Sequence, residues 1–450
     1  MRYKIIIFVK MLRKVLIVIS TLLICVNCSN ISVKLFKDSD VVNITINSIV
    51  ELKQNVAHRG ELEDIEIEEQ NVPVIPNNFL NGISVKELHI IRAQVQDVEP
   101  GAFNGASMVN LMLYENQIAR IRKGIFNKKS FNILALQNNI ISNIEDDAFD
   151  SATINILDLG FNKMEKLTSK MFIGSNITNL NLQSNVISNI EDGTFGKIDN
   201  LNKLDLSGNQ LEVIGHVFSN LTNLNELHLD GNRIKTLEPG CFGGSGIYWL
   251  YFAGNQLTHI AKGVFYKVPI SLLDFTNNKI SKIDKGALAG LSTLTFVQLA
   301  NNNLGDLKLS TLGSLDTNLN GLSLSENGIS NIDIGVFKNT KIDMLDLSKN
   351  HIKSIKKGLL RNVTVYTINL SENEITEIEE GAFDDIEDLS FIDVSVNKLK
   401  EVRRRMFSLP LDQVNLENNL ITKIDRDALN GLPLSRLQLK NNPIAAKNNA

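Results

Sequence analysis

A short pattern, apolar-x-apolar-x-x-Asn, recurs along most of this chain at a nearly constant spacing. Successive asparagines of the pattern are 22 to 25 residues apart, most often 23, and two weaker copies before them place Gln70 and Ala93 in the same position. The sequence therefore contains about seventeen units. A unit this short cannot bury an apolar face alone, so the units are expected to stack into a repeat solenoid. The asparagines are Asn116, Asn139, Asn162, Asn185, Asn209, Asn232, Asn255, Asn278, Asn302, Asn327, Asn350, Asn373, Asn397, Asn419 and Asn442.

Each half of the unit has a physical interpretation. The apolar-x-apolar stretch predicts a short strand with its two apolar side chains facing inward and the residue between them facing outward. The asparagine amide is expected to satisfy backbone groups that the following buried turn would leave unpaired. A Gly-x-Phe or related motif follows on the segment that leads back to the next strand. The aromatic rings of successive motifs are expected to stack into a continuous spine. These rings include Phe103, Phe126, Phe149, Phe172, Phe195, Phe218, Phe242, Phe265, Phe337, Phe383 and Phe407.

The repeated motif LxxLxLxxNxLxxIxxGxF resembles the extracellular leucine-rich repeat proteins over roughly residues 62–444. Its phrasing is similar to that of insect members, namely secreted leucine-rich immune factors and Toll-type or adhesion-type ectodomains. The resemblance implies an α/β repeat solenoid, a leucine-rich repeat horseshoe with a concave parallel β-sheet and an irregular or 3₁₀ convex side. Receptor members usually carry cysteine clusters at both ends, and this sequence has 3 cysteines and no cluster.

The remaining segments complete the predicted domain organisation. Residues 29–61, which include the alternating stretch VVNITINSIVELK, are expected to form a strand pair that caps the N-terminal end. Residues 445–450 form a short tail without a cysteine-rich cap. A truncated sequence and an open end covered by a partner are both compatible with that tail.

The first 28 residues have the pattern of a signal peptide. Basic residues precede the apolar run VLIVISTLLICV, which is too short to span a bilayer comfortably. An uncleaved anchor over residues 5–26 is the alternative. Cleavage predicts a secreted, extracellular chain without a membrane span. Asn-x-Ser/Thr sequons support secretion and predict glycosylation at Asn30, Asn43, Asn176, Asn220, Asn362 and Asn369.

Composition and motifs argue against several classes of function. A formal net charge of −4 gives no reason to expect nucleic acid or an anionic membrane as partner. No nucleophile triad, phosphate loop or metal-ligand spacing is present, and the histidines fall in different units, so we predict no enzyme, cofactor or metal site. Aspartates between the two inward residues of a strand suggest acid–base or metal chemistry, but the family phrase LDLSxN supplies them routinely. They are Asp158, Asp205, Asp274, Asp346 and Asp393.

The stretch IYWLYFAGNQL contains the only tryptophan of the chain. In the strand register, Leu250 and Phe252 face inward, whereas Trp249 and Tyr251 face outward. Neighbouring strands lie about 4.8 Å apart, so Trp249, Leu272 and Phe296 are expected side by side. Such an exposed apolar patch favours a protein-binding site, because aromatic side chains dominate interface energetics. Stacking that only stabilises the sheet is the alternative.

Three further residues belong to the predicted site or to a second mode of association. Tyr248 lies at the strand entrance, where the strand register does not determine its direction, and His228 is either a pH-sensitive group or a solvated rim residue. Cys241 occupies the small position of a GCF phrase. It is either a buried thiol or, as an odd cysteine in a secreted protein, the site of an intermolecular disulfide in a homo- or hetero-oligomer. The open C-terminal end is another surface for oligomerisation.

Together these observations predict a secreted, non-catalytic protein that binds an extracellular protein ligand through its concave face. The resemblance suggests extracellular recognition or innate immunity. A cell-surface adhesion or matrix protein, or a receptor ectodomain, acting by self-association is the alternative.

Overall fold

The computed structural model describes residues 30–37, 40–309, 311–312, 318–338, 340–407, 411–425, 428 and 434–447. The predicted signal peptide lies outside the described residues. The chain divides into two compact units. Unit 1 covers Met1–Ile187 and Lys197–Leu201, and unit 2 covers Ser188–Gly196 and Asn202–Ala450.

Unit 1 begins with a hairpin and continues with parallel strands, one for each predicted repeat. Strand Ile31–Lys37 pairs antiparallel with both Asp40–Ile46 and Leu62–Glu68. A 3₁₀ turn, Ile49–Glu51, and a short helix, Leu52–Val56, follow the hairpin. The parallel strands are Leu62–Glu68, Val85–Ile91, Asn110–Met112, Ser130–Ala135, Thr153–Asp158 and Asn176–Asn181, and the return strands are Val74–Ile75, Asp97–Val98, Arg120–Ile121, Asn143–Ile144 and Lys166–Leu167.

Unit 2 repeats the same parallel arrangement. The parallel strands are Lys203–Asp205, Glu226–His228, Trp249–Tyr251, Leu272–Asp274, Phe296–Gln298, Asn318–Ser323, Lys341–Asp346, Val363–Asn369, Ile386–Glu387, Phe391–Asp393, Gln413–Asn415 and Leu437–Gln438. The return strands are Asn189–Ile190, Val213–Ile214, Thr236–Leu237, His259–Ile260, Lys282–Ile283, Ser354–Ile355, Glu377–Ile378, Glu401–Val402 and Lys423–Ile424. The helical segments are the 3₁₀ turns His216–Phe218 and Leu434–Arg436 and the helix Pro443–Lys447.

The predicted fold class is confirmed as a parallel β-solenoid with very little helix. The return side differs in detail from the expected irregular or 3₁₀ conformation. Many return segments contain two-residue strands that pair in parallel with a neighbour, as Val213–Ile214 does with Thr236–Leu237. Return segments that carry an apolar residue at the same place in successive units can pair in this way, because each unit repeats the backbone of the previous one.

The asparagines of the repeat bind backbone groups of the bend, as the sequence predicts, and they also reach the preceding turn, which was not predicted. Asn255 is representative: its Nδ2 donates to the carbonyl oxygens of Leu229 at 2.9 Å and Phe252 at 3.0 Å, and its Oδ1 accepts from the Ile234 amide at 3.0 Å. Leu229 and Ile234 belong to the preceding turn. Each such amide therefore closes its own bend and also joins two turns of the solenoid.

The residue before each asparagine adopts a left-handed conformation. Glycine fits there without strain, and Gly254 has φ +67°. Val396 occupies the same position with φ +52°, although a β-branched residue is disfavoured in this region. The bend thus imposes its backbone geometry whatever the side chain.

Stacked phenylalanines fill the return side of the core, as predicted. In unit 1 the ring centroids of Phe126 and Phe149 are 5.8 Å apart, and in unit 2 those of Phe218 and Phe242 are 6.1 Å apart, with nearly parallel planes in both pairs. A stacked aromatic pair contributes about 0.5–1.5 kcal/mol beyond its burial. The spine therefore stabilises the contact between successive turns.

Residues 30–61 of unit 1 lie at the first repeat strand. Ile31, Val33 and Leu35 are buried, and Gln70 accepts a hydrogen bond from the Ser32 amide at 3.1 Å through its side-chain oxygen. Gln70 thus uses the asparagine position of the repeat to hold the hairpin. We propose that this segment caps the N-terminal end of the core. No helix among the described residues is long and apolar enough to cross a membrane.

Candidate functional site

The parallel strands of unit 2 expose one side to solvent, which we call the sheet face. Trp249 pairs with Leu272, and Leu272 pairs with Phe296, so these side chains form one row across three strands. Trp249 is 39% exposed, whereas Leu250 and Phe252 are fully buried. We call Trp249, Leu272 and Phe296 the aromatic patch. The structure places its members on the solvent side, as the strand register predicts.

Two contacts define the ends of the aromatic patch. At one end the rings of Tyr248 and Trp249 meet edge to face, with centroids 5.6 Å apart. At the other end Phe296 lies over Gly321, where an added Cβ would come within 3.0 Å of the ring. Gly321 therefore provides a seat for Phe296 that a larger residue would fill. The sequence reasoning missed this seat, although the small residue in an outward strand position was a visible signal.

Tyr251 and His228 lie beside the patch and stack on each other. Their ring centroids are 4.4 Å apart and the planes differ by 7°. His228 Nε2 is 2.6 Å from Glu226 Oε1, and the Lys203 ammonium donates to the same carboxylate at 2.7 Å. The stack and this network hold the Tyr251 ring in place, so the boundary of the patch is rigid. His228 therefore belongs to a hydrogen-bonded network beside the aromatic patch and is not a freely solvated group.

The network shifts the protonation equilibria of its members. Burial lowers the pKa of His228, but hydrogen bonds to Asp230 and Glu226 outweigh it, so the pKa lies above the ordinary value. Burial likewise raises the pKa of Glu226, but hydrogen bonds from Lys203 and His228 bring it below the ordinary value. The pKa of the Tyr251 hydroxyl is raised by burial and by the charge of Glu226. The network therefore favours charged His228 beside charged Glu226.

Other exposed apolar side chains follow the same row beyond Gly321. Met344 is 59% exposed and Phe391 is 38% exposed, but Thr367 separates them and Gln413 follows Phe391. Both lie outside the site predicted from the sequence. Their isolation makes them weaker anchors than the contiguous aromatic patch.

The outward aspartates serve the bends of the repeat. In unit 2, Oδ1 of Asp274 accepts a hydrogen bond from the Thr276 amide at 2.9 Å, and Oδ1 of Asp346 accepts from the Ser348 amide at 3.0 Å. This arrangement agrees with the interpretation that these residues belong to the repeat. The part of the chain that the structure describes contains no group of three or more His, Cys, Asp or Glu side chains suited to a metal ion.

The remaining predicted site residues lie away from the aromatic patch. Cys241 is fully buried, and burial raises the pKa of its thiol to about 12. That geometry favours the buried-thiol alternative over an intermolecular disulfide, because the sulfur is closed to a second chain in the folded state. Among the sequon asparagines, Asn30, Asn43, Asn220 and Asn362 are exposed and Asn176 and Asn369 are half-buried. Glycosylation stays a prediction.

Sequence comparisons identify the class of protein that this architecture represents. The family described as leucine rich repeat matches residues 175–234, 222–271 and 245–304. The family described as BspA type leucine rich repeat region matches residues 17–110 and 330–450. The chain is a leucine-rich repeat protein. A search of curated proteins finds no match.

Solved structures resemble this chain at low sequence identity, and two of them have TM-scores above 0.5. A chain of the Drosophila Toll–Spätzle complex is 17% identical with a TM-score of 0.55, covering 85% of this chain and 64% of its own length. A leucine-rich repeat protein of Leptospira interrogans is 18% identical with a TM-score of 0.52, covering 84% of this chain and 93% of its own. The leucine-rich repeat domain of APL1B is 20% identical with a TM-score of 0.46, covering 64% of this chain and 81% of its own. At such identities the likeness concerns the fold alone.

Proposed function

We propose that this chain is a secreted, glycosylated recognition protein that binds an extracellular protein ligand through the sheet face of unit 2. The aromatic patch carries the proposal, because a contiguous row of large apolar side chains on a polar surface is typical of an interface core. The rigid strands hold these side chains in place before binding. Little ordering entropy therefore opposes association.

The comparisons support a protein as the class of ligand. The Toll structure is a complex with Spätzle and is described as a hub in development and innate immunity. We infer from the shared fold that this chain also acts in extracellular recognition, with innate immunity as the proposed setting. An adhesive or matrix role through self-association is the alternative that the same experiment separates.

The test compares three baits in a pull-down from native extracellular fluid. They are the unchanged chain, the double variant Trp249→Ala with Phe296→Ala, and Phe391→Ala as a matched control. Phe391 is 38% exposed, close to the 39% of Trp249, but it stands alone in the same row. Far-ultraviolet circular dichroism and urea unfolding verify that each variant is folded.

We expect the unchanged chain and the Phe391 variant to capture the same partner and the double variant to lose it. Capture of that partner by the folded double variant would refute the role of the aromatic patch. Recovery of only further copies of this chain on all baits would favour self-association and the adhesive alternative.

A further inference from the structure

The sheet face of unit 2 combines the aromatic patch with acidic side chains. From strand Trp249–Tyr251 to strand Phe391–Asp393, the positions equivalent to Tyr248, Trp249 and Tyr251 contain no lysine or arginine. Lys341, the exposed lysine of these strands, lies at the start of its strand, five residues before Asp346. The charged side chains at these positions are Asp274, Asp343, Asp346 and Asp393. A bound protein thus meets apolar and negatively charged groups on this part of the face.

Within the described part of the chain, three of these carboxylates form no ion pair, and the lysine that senses the charge of Asp346, Lys349, is itself paired with Glu326 at 3.0 Å. Among the residues that the structure describes, Asp274, Asp343 and Asp346 form no ion pair, in contrast to Glu226, which Lys203 and His228 neutralise. Asp346 Oδ2 receives only a long hydrogen bond from the Ser323 hydroxyl, at 3.4 Å. Their charge is therefore available to a partner.

The fold of the bend does not require a negative charge at these positions. Asn369 and Asn415 occupy the equivalent place in later turns. The Oδ1 atom of each accepts the same hydrogen bond from the amide two residues later, at 3.1 Å in both cases. An amide thus replaces the carboxylate without loss of the turn contact. The turn contact therefore does not require the negative charge of Asp274 or Asp346.

The strand register gives the spacing of the charges. Asp274 pairs with Gln298, Gln298 with Ser323, and Ser323 with Asp346. At about 4.8 Å between strands, Asp274 and Asp346 are about 14 Å apart across the sheet. An extended segment that crosses the strands covers this distance in about four residues. The aromatic patch lies alongside Asp274, because Leu272 is on the same strand.

We propose that the sheet face of unit 2 binds a cationic protein segment that places one large apolar side chain on the aromatic patch and Lys or Arg side chains, about four residues apart, opposite Asp274 and Asp346. The inference rests on the proposed function and specifies the chemistry of its ligand. Complementary charge would increase the rate of association and exclude acidic partners. The apolar contact would supply most of the affinity.

A random-peptide library displayed on phage tests the chemistry without a known ligand. The library is selected on the full chain and counter-selected on the folded variant Trp249→Ala with Phe296→Ala. We expect the retained peptides to contain a large apolar residue with Lys or Arg at the stated spacing. Peptides that depend on the patch but lack basic residues would overturn this inference and leave the proposed function intact. Peptides that bind both forms equally, or no enrichment, would refute the patch itself and both proposals.

A selected peptide free of tryptophan then permits a titration by intrinsic fluorescence, because Trp249 is the only tryptophan of the chain. Binding is expected to shift its emission to shorter wavelength. The variant Asp274→Asn with Asp346→Asn keeps the turn contacts and should bind about threefold to tenfold more weakly. The control Asp333→Asn with Asp385→Asn removes two exposed charges elsewhere in unit 2 and should bind normally. Peptide binding that is weakened equally in both double variants, or weakened in neither of them, would contradict a specific role for Asp274 and Asp346.

Discussion

Replacement of Asn255 by alanine should reveal how strongly the asparagine amides hold the solenoid together. The substitution removes the hydrogen bonds to the carbonyl groups of Leu229 and Phe252 and to the amide of Ile234. All three of these residues are fully buried, so water cannot replace the lost partner without opening the core. At about 1 kcal/mol or more for each bond that leaves a buried group unpaired, the free energy of unfolding should fall by about 3–5 kcal/mol.

Urea unfolding followed by two signals provides the assay. Circular dichroism reports on the whole chain, and the fluorescence of Trp249 reports on the turn that contains Asn255. In the unchanged chain we expect unit 2 to unfold as a whole, so that the fluorescence of Trp249 and the circular dichroism signal of unit 2 change at the same urea concentration. Because two of the lost bonds join successive turns, the variant should show the fluorescence transition at lower urea than the circular dichroism transition.

Asn303→Ala is the matched control, since Asn303 is exposed and its side chain has no hydrogen bond within the described residues. It should change the free energy of unfolding by no more than about 0.5 kcal/mol. A loss below about 1 kcal/mol for Asn255→Ala would refute the reasoning, because the buried backbone groups would then have found other partners.

Three other predictions follow from individual residues. Val396→Gly should raise the free energy of unfolding by about 1 kcal/mol, because glycine adopts the observed φ of +52° without strain; no gain in urea unfolding would contradict this. The Cys241 thiol should not react with a maleimide in the folded protein and should react after unfolding, with Cys241→Ser as the background control; rapid labelling of the native chain would show that it is accessible. In unit 1, burial raises the pKa of Asp64 from 3.8 in the unfolded chain to about 6 in the folded protein. The unfolded chain therefore ionises first, and the free energy of unfolding falls as the pH rises from 3.8 through about 6. Asp64→Asn should therefore stabilise the protein by about 1–2 kcal/mol at neutral pH and by much less below pH 3.8, and equal effects at both pH values would exclude this cause.

The repeat made the solenoid and its outward positions predictable. A period of about 23 residues, with Asn255 and its equivalents at one place in each unit, determines which residues of a strand face inward. Leu250 and Trp249 could therefore be assigned to opposite sides of the strand from the sequence alone. The parallel pairing of the return segments was not predicted, because two-residue strands such as Val213–Ile214 have no periodicity of their own.

The candidate site was predictable only as a row of side chains. Register places Trp249, Leu272 and Phe296 together, but the support of each ring depends on tertiary contacts. The seat at Gly321 and the stack of His228 on Tyr251 arise between turns that the sequence separates by more than twenty residues. Likewise, the availability of the Asp274 charge depends on which cations lie near it, and that is a property of the folded surface.

The hydrogen bonds of the asparagine row also show where the solenoid tolerates changes of length. Asn255 reaches the Leu229 carbonyl 26 residues earlier, whereas Asn327 reaches the equivalent carbonyl of Leu299 28 residues earlier and Asn419 that of Val394 only 25 residues earlier. The bonded atoms stay the same while the number of residues between them varies. Additions and deletions are thus absorbed outside the bend. The return side of a turn could gain a new loop, and with it a new surface, without displacing the side chains of the sheet face.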